Sequence, residues 1–97
     1  EYVIAVGINE NSNSLGNLVI YPVPTDGSFT VNLESAATGK IDIQVINELG
    51  VTVYLEQNIP LTRNFSKTID LRPVATGIYT VILRNNEGKV VRQIIIR

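Results

Sequence analysis

Histidine, cysteine and tryptophan are all missing from the 97 residues. Without cysteine no disulfide staples the fold and no thiolate chemistry is available, so folding in an oxidising compartment would need no oxidase. Without histidine the usual general base at neutral pH is gone, and no pair of carboxylates falls together on the strands expected below. Serine and threonine are plentiful, but a hydroxyl nucleophile with no partner base is inert. Charge is balanced: 8 Lys and Arg against 9 Asp and Glu leave a net charge of -1, which gives no long-range attraction to nucleic acid or an anionic membrane. The apolar run Tyr2 to Val6 is far shorter than the ~20 residues of a membrane helix. No charged-then-apolar leader precedes it, so any export leader is expected upstream on a longer parent. Asp26, Asp42 and Asp70 fall on a turn and two separate strands, not in the dense oxygen-rich loop that calcium prefers. The seven glycines are scattered turn residues with no phosphate-cradling pattern. The chain is therefore expected not to be an enzyme, and no catalytic, cofactor or metal residue is nominated.

What is present is a strand pattern. Hydrophobic residues at 44% and charged residues at 18% describe a globular chain, and 97 residues suffice for a single core. Phe29, Val31 and Leu33 alternate with polar neighbours, as do Ile41, Ile43 and Val45, then Val51, Val53 and Leu55, then Tyr79, Val81 and Leu83. That is the period of a half-buried strand, and no stretch carries a sustained helical repeat. Strands are expected near 18–22, 28–34, 40–47, 51–57, 65–71, 78–84 and 89–96. Short strands at this spacing imply an all-β, immunoglobulin-like β-sandwich of about seven antiparallel strands. Its expected core contains Phe29, Val31, Ile43, Val45, Val53, Leu55, Ile69, Leu71, Tyr79 and Val81, with Tyr54 and Tyr21 facing outward. Lys67 shares parity with Phe65, Ile69 and Leu71, which places it at a sheet margin where it can snorkel.

The punctuation carries the functional signal. Pro22 and Pro24 stiffen the exit from the first strand, Pro24 suits the second position of a type I turn, and Gly27 can take the positive φ that starts the next strand. Glu48-Leu49-Gly50 turns the third strand into the fourth, and Asn85-Asn86-Glu87-Gly88 closes the last hairpin. The phrases Leu18-Val19-Ile20-Tyr21-Pro22-Val23-Pro24-Thr25-Asp26-Gly27, Glu48-Leu49-Gly50, Ile69-Asp70-Leu71 leading to Thr76-Gly77-Ile78-Tyr79-Thr80-Val81, and Gly88-Lys89-Val90-Val91 occur in this order. In that order, finishing at the C-terminus, they resemble the C-terminal sorting domain, type A, of proteins exported by the bacterial type IX secretion system. The resemblance covers Leu18 to Arg97. Where the family usually has Asn between the two prolines this chain has Val23, which cannot make that side-chain hydrogen bond, so no role of the Asn carries over.

The resemblance implies an address label. It implies an N-terminal cargo, passage through the periplasm, recognition by the outer-membrane secretion machinery, removal by a sortase-like surface protease, and a cargo released or left on the cell surface. Residues 18–97 would be the sorting domain and 1–17 a linker or the end of a preceding cargo module. Glu1 to Val6 reads as the last strand of that module or as a strand pairing within this domain. The segment that follows is rich in Asn, Ser and Gly with little to bury, so cleavage is expected among Gly7, Asn9, Asn11, Ser12, Asn13, Ser14 and Gly16. Candidate recognition residues are Tyr21, Pro22, Pro24, Gly27, Gly77 and Tyr79 in the phrases, and Lys89, Arg92 and Arg97 on the last strand.

That strand is irregular, since Arg92 shares a face with Val90, Ile94 and Ile96. It reads as a bulged or doubly covered strand, or as one that docks on a receptor by edge pairing or side-chain packing. Its three cations suit an acidic receptor surface, or a solvated face. The rival readings are a carbohydrate-binding module, which needs exposed aromatic platforms, and a sandwich that merely spaces its neighbour.

Overall fold

The computed structural model describes residues 15–35 and 39–97. Among these residues seven strands form: β1 (Asn17–Tyr21), β2 (Ser28–Glu34), β3 (Lys40–Ile46), β4 (Thr52–Pro60), β5 (Asn64–Asp70), β6 (Gly77–Asn85) and β7 (Gly88–Ile96). They make two antiparallel sheets, ordered β1-β2-β5 and β4-β3-β6-β7. The chain changes sheet after β2, β4 and β5, so both layers are stitched by short loops at the two ends.

Alternation puts one face of every strand inside. Phe29, Val31 and Leu33 of β2 meet Ile41, Ile43 and Val45 of β3, together with Phe65, Ile69, Tyr79, Val81, Leu83, Val90, Ile94 and Ile96, in one core. Leu71 packs at its margin. Eight of the ten expected core residues therefore lie in or against the core.

The exceptions, Val53 and Leu55, are 37% and 54% exposed, and Val51 is 54% exposed. Pairing decides this: Val45, whose side chain is inside, faces Tyr54, while the outward Gln44 faces Leu55. Tyr54 thus turns inward against the core, the reverse of the parity expected from its neighbours. Two register shifts bracket this stretch. Near the second half of β4, Asn58 adopts a φ of 60° and donates its N–H to Asp42 Oδ1 at 2.9 Å, which returns Ile59 to the core side. Two bulges in one edge strand defeat a strict period of two.

Among the described residues, three of the four edge strands carry an inward-facing charge at mid-strand: Glu56 on β4, Lys67 on β5 and Arg92 on β7. Such residues blunt an open edge, because adding another strand would trap the charge. Glu56 and Lys67 meet across the gap between the sheets at 3.1 Å, and Tyr54 donates its hydroxyl to Glu56 Oε1 at 2.5 Å. Lys67 sits at the margin, as its parity implies, with its side chain 30% exposed.

Candidate functional site

Registers sort the loops into two groups. Tyr21 faces Thr30, Ser28 faces Asp70, Ile46 faces Thr52 and Thr80, and Gly77 faces Ile96. The loops 22–27, 47–51 and 71–76 therefore share one end of the sandwich with the close of β7. At the opposite end lie Leu15 and Gly16, the 61–63 connection and the 86–87 hairpin turn. Three of the four phrases read from the sequence thus converge, while Gly88-Lys89 lies at the far end.

Thr25 ties the first phrase to the last strand. Its N–H donates to Ile95 O at 2.9 Å, Arg97 N–H donates to its carbonyl at 2.9 Å, and Thr25 forms a parallel bridge with Ile96. The side chain is buried and holds the turn from within, donating to Ser28 O at 2.6 Å and accepting from Gly27 N at 3.1 Å. Gly27, at φ 115°, also accepts the Leu71 N–H at 2.8 Å, and a Cβ there would stand 2.8 Å from Arg72 Cγ. Only glycine takes this backbone against so close a neighbour.

Arg72 locks the same corner electrostatically. Its guanidinium donates to both oxygens of Asp70, at 2.9 and 3.0 Å, and reaches Asp26 Oδ2 at 3.4 Å. The forked pair holds the Asp70 carboxyl down at about 2, chiefly through the side-chain hydrogen bonds from Arg72, and pushes the guanidinium further up. Two of the three aspartates considered for calcium are therefore occupied by this arginine, and the third caps the Asn58 bulge.

The second phrase is equally constrained. Asn47 Oδ1 accepts from Leu49 N and Val51 N, both at 2.9 Å, while its backbone pairs with Val51 and Gly50. The Glu48 carboxylate accepts the Ile78 N–H at 3.2 Å and lies 3.5 Å from where a Gly77 Cβ would stand, joining the second phrase to the third. Tyr79 buries its ring and donates its hydroxyl to Ala75 O at 2.6 Å, bracing the loop before it. Leu49, at the tip of this fixed turn, is 87% exposed.

The sequence-derived candidates divide accordingly. Tyr21 and Pro22 are exposed at the convergent end and Pro24 is half-buried there, whereas Gly27 and Tyr79 are buried and build the end from inside. Gly77 spaces Glu48 from the backbone. Lys89, Arg92 and Arg97 do not form one patch: Lys89 lies at the far hairpin beside Arg84, Arg92 turns to the sandwich side at mid-strand, and Arg97 follows the close of β7. Of the cleavage candidates, Gly16 is packed, since a Cβ on it would come 2.4 Å from Glu34 O. Leu15 beside it is buried and its carbonyl accepts Ser35 Oγ at 2.6 Å. Gly7, Asn9, Asn11, Ser12, Asn13 and Ser14, like Glu1 to Val6, lie outside the described residues. Asn47 and Arg72 went unremarked in the sequence, and Thr25 was quoted only as part of the first phrase, although Asn47 before a Glu-Leu-Gly turn carries an Asx-turn signal.

A family model described as secretion system C-terminal sorting domain matches residues 19–97. Among solved structures, a DUF3244-family protein from Bacteroides vulgatus ATCC 8482 with an immunoglobulin-like β-sandwich fold superposes with a TM-score of 0.69. The match covers 98% of this chain and 96% of that one at 14% identity, a likeness of fold. No curated protein matches. By the family match, and on the immunoglobulin-like sandwich that three of its four phrases close at one end, this chain belongs to the C-terminal sorting domains of type IX secretion.

Proposed function

We propose that this domain carries an N-terminally joined cargo through the type IX outer-membrane translocon, which reads the convergent end, and that a sortase-like surface protease then removes it. Family membership implies export to the cell surface or beyond and contact with the secretion machinery. One observation supports the division of labour. The phrases at 22–27, 47–51 and 71–79 gather at the end opposite Leu15, the first of the described residues. A cargo joined through residues 1–14 would leave the reading surface clear.

Packing of Leu15 and Gly16 moves the proposed cut to the N-terminal side of Leu15, because a protease cleft takes extended backbone and these residues are engaged. The carbohydrate-binding reading is disfavoured: with Tyr54 turned inward, Tyr21 is the one large exposed aromatic among the described residues. The test fuses residues 1–97 to a periplasmic reporter in a bacterium with the type IX system and in a strain lacking it. The reporter should leave the cell only in the first, and mass spectrometry should find its new C-terminus within residues 7–14. Retention in both strains removes the sorting reading; a cut after Leu15 removes the linker assignment alone.

A further inference from the structure

Two of the phrases that mark the family wall one cleft at the convergent end. Asn47, Glu48 and Leu49 line one side, and Ala75, Gly77 and Ile78 line the other. Its volume is about 180 Å³, which admits a side chain and falls short of the roughly 300 Å³ at which small-molecule sites begin. Glu48 is fixed in its wall. Oε2 accepts the Ile78 N–H at 3.2 Å, and a Cβ on Gly77 would stand 3.5 Å from Oε1 and 3.6 Å from Oε2, so glycine leaves that side of the carboxylate open. Among the described residues Ile78 N–H is the one donor to this carboxylate, and no Lys or Arg pairs with it. The other acids of this end are taken, since Asp26 and Asp70 both hold Arg72. An amide oxygen would also accept the Ile78 N–H. Bracing the two loops therefore uses one oxygen of Glu48 and needs neither the second nor the charge.

We propose that this cleft takes one basic side chain, lysine or arginine, from a protein of the secretion machinery. This rests on the sorting function proposed above and names the chemistry read at its surface. Glu48 Oε1 accepts the N–H groups of the incoming cation, while its aliphatic stem lies along Leu49, Ala75 and Ile78. Charge selects that occupant. An acidic side chain would be repelled, and a neutral one would cover the carboxylate without neutralising it. The site is also ready before the partner arrives: Asn47 fixes the backbone of Leu49, and Ile78 N–H holds Glu48, so binding orders little that is not already ordered. A single pair at a partly open cleft sets register and partner choice more than affinity, which leaves the domain releasable after export.

The test compares the full 1–97 chain with Glu48→Gln, which keeps an oxygen for the Ile78 N–H and removes only the charge. The probes are outer-membrane vesicles from a bacterium with the type IX system and from a strain lacking it. Wild type should bind the first vesicles alone, and the variant should bind them about three- to tenfold more weakly with an unchanged thermal midpoint. Raising salt from about 0.05 to 0.5 M should narrow that gap, because a partly open ion pair is screened. Glu87→Gln makes the same charge change at the far hairpin and should bind as wild type; an equal loss there would reduce the effect to net charge and overturn the proposal. Ala75→Leu fills the cleft while keeping the carboxylate and should weaken binding as Glu48→Gln does, and it decides the matter if the Glu48 variant loses stability. Export of a fused reporter should follow binding. If wild type is exported and both cleft variants bind and are exported equally well, the cleft proposal is wrong while the sorting reading stands. If wild type is not exported, the sorting reading fails and the cleft proposal fails with it. Self-association in sedimentation that Glu48→Gln abolishes would assign the cleft to a second copy and overturn the proposal.

Discussion

Arg97 donates its backbone N–H to the carbonyl of Thr25 at 2.9 Å, across 72 positions of sequence (97 − 25). With Thr25 N–H on Ile95 O, this fastens the close of β7 to the Pro-Val-Pro loop. The first phrase and the terminal strand, separate signals in the sequence, are one structural unit.

Thr25→Val tests that unit. The substitution keeps the shape but leaves Ser28 O and Gly27 N without the hydroxyl that serves both. Stability should fall by about 1 to 3 kcal/mol, measured by chemical denaturation. Hydrogen exchange at Arg97 should accelerate more than at Val81 in the central strand, since a loosened loop releases the end of β7 first.

Gly16→Ala distinguishes a linker residue from a folded one. The added Cβ meets the Glu34 carbonyl, a backbone atom that cannot swing aside, from a φ of 150°. A loss of about 2 to 3 kcal/mol is expected. Gly50→Ala, with nothing within 4 Å of the new atom, should cost less, about 1 kcal/mol for its positive φ alone. Equal midpoints for wild type and Gly16→Ala would return Gly16 to the linker.

Tyr54 should mark the alkaline limit of the fold. Burial, with Glu56 beside it, pushes its phenol up to about 12 from an ordinary value near 10. Between those values the unfolded chain has lost the proton and the folded one keeps it. The contribution is therefore complete below about pH 10 and disappears as pH rises through about 12. Absorbance titration should show a phenol ionising near 12 that Tyr54→Phe removes, and the variant's stability should fall less steeply across that window.

Asp70 should do the reverse in acid. Arg72 holds its carboxyl at about 2, below the usual range near 4. The stabilisation it contributes is present above about pH 4 and is lost as pH falls through about 2. Carbon-detected NMR should place the Asp70 midpoint at about 2 in the wild type and near 4 in Arg72→Gln. An unchanged midpoint in the variant would show that Arg72 is not the cause.

Strand number, strand limits and most of the core were legible because each of β2, β3 and β6 obeys a strict period of two with one clean apolar face. β4 was misread for a physical reason. Val51, Val53 and Leu55 form the more apolar parity, yet cross-strand pairing with Val45 and Gln44 turns Tyr54 inward, and the bulge at Asn58 changes face again for Ile59. Register is set by the partner strand, which no local pattern contains. The phrases were legible as turns and as family marks. Their meeting at one end was not, because it depends on Thr25 finding Ile95, Arg72 finding Asp26, and Glu48 finding Ile78.

The sequence by itself determined an all-β sandwich, the places where it turns, and membership in a family of sorting domains, since alternation and turn chemistry act between near neighbours. Tertiary structure decided that buried Gly27 and Tyr79 support a surface on which Tyr21, Pro22 and Leu49 are exposed, and that Lys89, Arg92 and Arg97 stand apart. It also decided that the apolar face of β4 looks outward. Each of these depends on which strands lie side by side, a choice made by the whole core at once.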